Sequence, residues 1–181
     1  MKIFVIGFMG IGKTTFSKKL AKKLNFNFFD LDYLIKEKIS FSILEIFKKY
    51  GEDYFRQIEN QTLKNFIESN NDFVLACGGG TPCFYNNIQI INDSGISVLL
   101  ELKPKMILRR LQESKTERPL LENLSEEAKL NRITELLTER EQYYSQAKIK
   151  INAFDCEIKK VVEEIIQSNK DNTQFNLKMN K

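Results

Sequence analysis

"GFMGIGKTT", residues 7–15, stands between the apolar run "KIFVI" (2–6) and the basic pattern "FSKKLAKKL" (16–24). The apolar, β-branched run predicts a buried strand over 2–8 that ends at glycine. Phe16, Leu20, Ala21 and Leu24 recur at helical spacing, which predicts a helix over 13–24. Between them, Gly7, Gly12, Lys13 and Thr14 match G-x-x-x-x-G-K-[ST]. Glycines let such a loop fold tightly around phosphate oxygens, and the helix that follows adds the positive end of its dipole. Gly10, Ile11, Gly12, Lys13, Thr14 and Thr15 are therefore candidate contacts to the phosphates of a nucleoside triphosphate. Lys13 would bridge the β- and γ-phosphates, and the Thr14 hydroxyl would ligate Mg²⁺. The competing reading is a glycine-rich turn with an ordinary surface lysine. The order strand, loop, helix weighs against it.

Working outward, 181 residues with 42% hydrophobic content suit one domain with a sizeable core. The formal net charge of +4 is mild, and the lysines are spread along the chain, so no nucleic-acid tail is read. Cys77, Cys83 and Cys156 lack metal-ligand spacing, and the chain has no histidine to complete a zinc set. Buried, reduced thiols in a cytoplasmic protein are expected. The first apolar run leads straight into Lys13 with no small-residue cleavage site, so no signal peptide is expected, and no membrane span. Without histidine, any general base must be a carboxylate, lysine, tyrosine or cysteine.

Further strands are predicted at "FNFFDLD" (26–32), "FVLACGGG" (73–80), "ISVLLEL" (96–102) and "KIKINA" (148–153). Helices are predicted over 42–69 with a break at Gly51, and over 104–114, 130–147 and 157–169. The end, 170–181, has no apolar period and is expected to be a flexible tail. Strands alternating with helices predict an α/β protein with a parallel sheet covered on both faces.

Several motifs then share one order: "GFMGIGKTT", "FDLDYLI", "GEDYFRQIE", "ACGGGTP", "RPLL" and "TEREQYYSQA". Over about residues 2–150 this set resembles the shikimate kinases. The resemblance implies a three-layer P-loop kinase fold over 1–169, with a central parallel β-sheet flanked by helices and a mobile lid at about 114–128. It implies transfer of the γ-phosphoryl of ATP, with Mg²⁺, to the 3-hydroxyl of shikimate in chorismate biosynthesis. The partners implied are small molecules, with no nucleic acid or membrane, and a monomer is expected.

Residue by residue, the resemblance assigns Asp30 to Mg²⁺ alongside Thr14, and Asp32 to a substrate hydroxyl. On an extended segment the two carboxylates would point to one face; the competing reading is a surface acid pair that caps a helix. They would lie at the carboxyl end of a strand, where open α/β sheets bind ligands. Arg56 and Arg140 correspond to clamps on the shikimate carboxylate, which two arginines can grip bidentately. Gly78, Gly79 and Gly80 would allow the ligand close to the backbone. Arg118 would reach the phosphates as the lid closes. Lys13, Asp32 and Arg118 are thus the candidate catalytic residues. One of Arg109 and Arg110 is implied near adenine, and Arg110 is taken as the nucleotide contact. Thr81-Pro82-Cys83, and Ile11 where a small residue is usual, depart from the family pattern; the Ile11 side chain is expected to point outward.

Overall fold

A computed structural model describes residues 1–113, 121 and 124–179, the side chains of 171–179 excepted. Five strands form one parallel sheet: β1 (Lys2–Gly7), β2 (Asn27–Asp30), β3 (Phe73–Ala76), β4 (Ile96–Glu101) and β5 (Ile149–Asn152), in the order β2-β3-β1-β4-β5. Side chains alternate along a strand, so β1 feeds two cores. Phe4 and Ile6 join a cluster with Leu31, Ile35, Ile46, Phe55 and Leu63, contributed by α2 (Leu31–Ile39) and α3 (Ile43–Ser69). Ile3 and Val5 face the opposite way, against Phe16 and Leu20 of α1 (Lys13–Leu24) and Val161 and Ile165 of α7 (Ile158–Met179). Burial on both faces explains why the strands read as continuous apolar runs.

Three more helices complete the layers: α4 (Asn87–Ser94), α5 (Pro104–Glu113) and α6 (Glu126–Tyr144). Phe8, just past β1, packs with Ile107, Ile133 and Leu136 in a third cluster that joins α5 and α6.

The boundaries follow local chemistry. Ser42 and Glu45 form a reciprocal capping box at the start of α3. The expected break at Gly51 is present, with φ 82° and ψ 173°. Sequence periodicity missed α2, α4 and the short 3₁₀ turn Thr81–Cys83, which are too brief to show a clear apolar period. The last helix runs to Met179, past Asn169 where its apolar pattern stops. The helix α6 begins at Glu126, inside the stretch 114–128 expected as a lid. Leu121, the final residue of "RPLL", is buried in the third cluster. Arg118 and most of that stretch lie outside the described residues.

Candidate active site

The phosphate loop departs from β1 through positive φ at Gly7 (136°), Gly10 (74°) and Gly12 (98°), a region that side chains disfavour. Gly12 stands at the start of α1, so the expected strand, loop and helix are in place. The Lys13 ammonium donates to the carbonyls of Gly7 and Phe8, each at 2.9 Å, which holds the charge against the loop. Ile11 does not point outward as expected. It is 2% exposed and packs with Phe16 and Leu100, because the loop's turn directs it into the second core.

Asp30 and Asp32 also differ from the expected extended pair. The strand β2 ends at Asp30, which caps α2: its Oδ1 accepts from the Asp32 backbone N–H at 3.1 Å. Asp32 therefore stands in the first helical turn. The other Asp30 oxygen, Oδ2, accepts from the Thr14 hydroxyl at 2.8 Å. A hydroxyl and a carboxylate thus meet at the loop's end. These hard oxygen donors suit Mg²⁺, which takes few protein ligands and relies on phosphates and water for the rest. Among the described residues no group of three or more His, Cys, Asp or Glu side chains is placed to hold a metal ion.

Beside the loop lies a pocket lined by Asp32, Arg56, Gly78, Gly79, Gly80 and Arg140, with Met9, Ile43, Phe47 and Phe55 as its apolar wall. Every candidate acceptor residue from the sequence is on it. Arg56 is 5% exposed, donating through Nη1 to Glu59 at 2.8 Å and through Nη2 to Glu52 at 2.9 Å. Its guanidinium lies over the Phe84 ring at 4.4 Å and the Phe55 ring at 5.0 Å. Burial works against the charge, but Glu59 and Glu52 outweigh it, so the pKa of Arg56 is raised above the ordinary arginine value. Arg140 donates to the Gly79 carbonyl at 3.2 Å and lies over the Phe8 ring at 5.3 Å.

The three glycines are needed for space, not for φ, since none of them has a positive φ. A Cβ on Gly80 would run into the Arg56 guanidinium. One on Gly78 would come within 2.8 Å of Glu59 Oε1 and 3.1 Å of Asp32 Oδ1. One on Gly79 would press on the Met9 backbone nitrogen at 3.0 Å. The glycines let the arginines and acids stand close to the strand ends.

Two residues escaped the sequence reading. Glu59 is fully buried and pairs with Arg56; its only signal was the i,i+3 spacing in "RQIE". Tyr144, four residues after Arg140, donates from its hydroxyl to the same Gly79 carbonyl at 2.6 Å. Burial raises the pKa of that phenol and keeps it a donor.

A second pocket flanks the loop, lined by Gly12, Thr15, Lys19, Arg110, Ala153 and Cys156 among others. Here the structure separates the two arginines. Arg110 donates to the carbonyls of Ile11 at 2.6 Å and Ala153 at 3.5 Å, joining the loop to the segment after β5. Arg109 is exposed and pairs with Glu113. All three cysteines are free, but only Cys77 is fully buried; Cys83 and Cys156 are half-buried, against the expectation for all three. Burial pushes the Cys83 thiol up to about 11, so it is not a ready nucleophile near neutrality. No helix among the described residues is long and apolar enough to cross a membrane.

The chain is similar to known proteins along most of its length. The family model described as "Shikimate kinase" matches residues 9–170. A shikimate kinase of Phocaeicola vulgatus is 40% identical over 167 residues, covering 92% of this chain and 95% of that protein. The crystal structure of shikimate kinase from Bacteroides thetaiotaomicron superposes with a TM-score of 0.80 at 35% identity, covering 96% of this chain and 98% of the other. The Acinetobacter baumannii shikimate kinase in complex with shikimate gives 0.81 at 32% identity, covering 94% and 93%. With a family model spanning most of the sequence and relatives aligned nearly end to end, this chain belongs to the shikimate kinase family.

Proposed function

We propose that this chain transfers the γ-phosphoryl group of ATP to the 3-hydroxyl of shikimate, giving shikimate 3-phosphate and ADP, in the cytoplasm. One observation carries the reading: Asp32, Arg56, Arg140 and Gly78–Gly80 line a single pocket beside the phosphate loop. Two guanidiniums suit a carboxylate, a carboxylate suits a hydroxyl, and the apolar wall of Ile43, Phe47 and Phe55 suits a carbocyclic ring.

In this reading Lys13 sets its charge between the β- and γ-phosphates. Thr14 and Asp30 are the residues that would hold Mg²⁺, which supplies further neutralisation of phosphate charge when bound. Arg110 sits on the nucleotide side. Arg118 joins the phosphates from the segment outside the described residues. Asp32 orients the acceptor hydroxyl and accepts its proton, while Arg56 and Arg140 hold the carboxylate. Little covalent chemistry is asked of the protein, so rate comes from positioning and electrostatics.

The test is ATP consumption with Mg²⁺ across shikimate, quinate, gluconate, AMP and no acceptor, with Arg140→Ala beside the wild type. Turnover dependent on shikimate, with kcat/KM reduced about 100-fold in the variant, is expected for loss of a desolvated charge contact. Turnover on another acceptor alone overturns the assignment.

A further inference from the structure

The acceptor pocket is backed by a chain of buried and half-buried hydrogen bonds that Arg56 alone of the assigned site residues enters. Glu59 offers one oxygen to each of two donors: Oε2 to Arg56 Nη1 at 2.8 Å, and Oε1 to the Thr81 hydroxyl at 2.5 Å. Thr81 opens the 3₁₀ turn that follows the three glycines, and it is fully buried. Its carbonyl accepts from Asn87 Nδ2 at 2.9 Å, and Asn87 Oδ1 accepts from Asn60 Nδ2 at 2.7 Å. Asn60 follows Glu59 on α3, so the path runs from α3 through the turn and α4 back to α3. Asn87 is also fully buried.

We propose that Thr81 is a positioning residue for the Arg56 clamp, acting through Glu59. A carboxylate held by Arg56 alone can rotate about its Cγ–Cδ bond. The Thr81 hydroxyl fixes that rotation and aims Oε2 at the guanidinium. Its β-branched side chain is buried in the turn, which restricts the hydroxyl's rotamers while it donates to Glu59. The asparagine pair keeps the turn from shifting, and a satisfied, largely buried network of this kind stiffens its members. An apolar side chain at this position would leave Glu59 Oε1 without this donor. The hydroxyl is therefore a determinant of acceptor affinity in this chain.

The proposal rests on the acceptor reading above, and wild-type turnover with shikimate keeps the two failures apart. Thr81→Val removes the hydroxyl at nearly constant volume and is expected to raise the KM for shikimate about tenfold, the size of one hydrogen bond to a charged group. The KM for ATP should stay within about twofold, as no nucleotide contact changes. Thr81→Ser restores the hydroxyl and should return the shikimate KM to within about threefold of wild type. In a Glu59→Gln background, adding Thr81→Val should change that KM less than about twofold, because the two act in series. Thr81→Ala is run in parallel, so a packing failure of the valine variant does not decide the outcome. An unchanged shikimate KM in the valine and alanine variants overturns the proposal. So does a serine variant as poor as valine, equal rises in both KM values, or additive effects in the Glu59→Gln background. Absence of shikimate turnover in the wild type overturns the acceptor reading and this proposal together.

Discussion

The two halves of the site are built by different means. The phosphate loop is nine contiguous residues whose shape comes from positive φ at three glycines. The acceptor pocket draws Asp32, Arg56, Glu59, the glycines of 78–80 and Arg140 from α2, α3, the end of β3 and α6. Its glycines have ordinary φ and serve by leaving room for guanidiniums and carboxylates. A loop of this kind suits a polyanionic phosphate chain, because its backbone N–H groups can turn inward toward the phosphate oxygens. A compact ring carrying hydroxyls and a carboxylate calls for side chains with fixed direction, and those must be braced from behind. Hence the buried charges and their network lie on the acceptor side.

Breaking the loop half has the largest expected effect. Lys13→Ala should lower kcat by about 10³-fold, near 4 kcal/mol of transition-state stabilisation, with shikimate affinity by calorimetry unchanged. A comparable loss of shikimate affinity would erase the division between the halves. On the acceptor side, Glu59→Ala leaves Arg56 buried with one of its two partners gone. It should destabilise the fold by about 3 kcal/mol, read by urea unfolding, as for a broken buried ion pair. Retention of wild-type stability would show that the brace is dispensable.

The contrast between the glycines is sharpened by paired substitutions. Gly80→Ala forces the Arg56 guanidinium aside and should raise the shikimate KM by roughly tenfold, within the usual range for overpacking. Gly12→Ala strains a φ of 98° and should raise the ATP KM by a similar factor of about ten. The same KM moving in both variants breaks the comparison. The smallest effect is a pH dependence. The folded-state thiol of Cys83 lies at about 11, above its ordinary value of 9.0, because burial disfavours the thiolate. Its contribution to stability is complete below the unfolded-state value and is lost as pH rises through the folded one. The melting temperature should therefore fall between about pH 9 and 11, less steeply in Cys83→Ala.

The loop, the sheet strands, the break at Gly51 and the separate arginines were legible because each is a local signal: a glycine spacing, an apolar run, a motif. The short helices α2 and α4 were not, since eight or nine residues carry too few turns to show a period. For Asp30 and Asp32 the extended pair was preferred over a helix cap for a related reason: the end of β2 becomes that cap within one residue. The order of motifs along the chain, and the family they point to, belonged to the sequence by itself. What the tertiary structure alone decided is pairing at a distance. It put Glu59 on Arg56 and Thr81 on Glu59, tied Arg110 to the Ile11 carbonyl, and turned Ile11 inward. Those choices depend on which buried groups find partners once the helices pack, and burial leaves a charge or hydroxyl no water to fall back on.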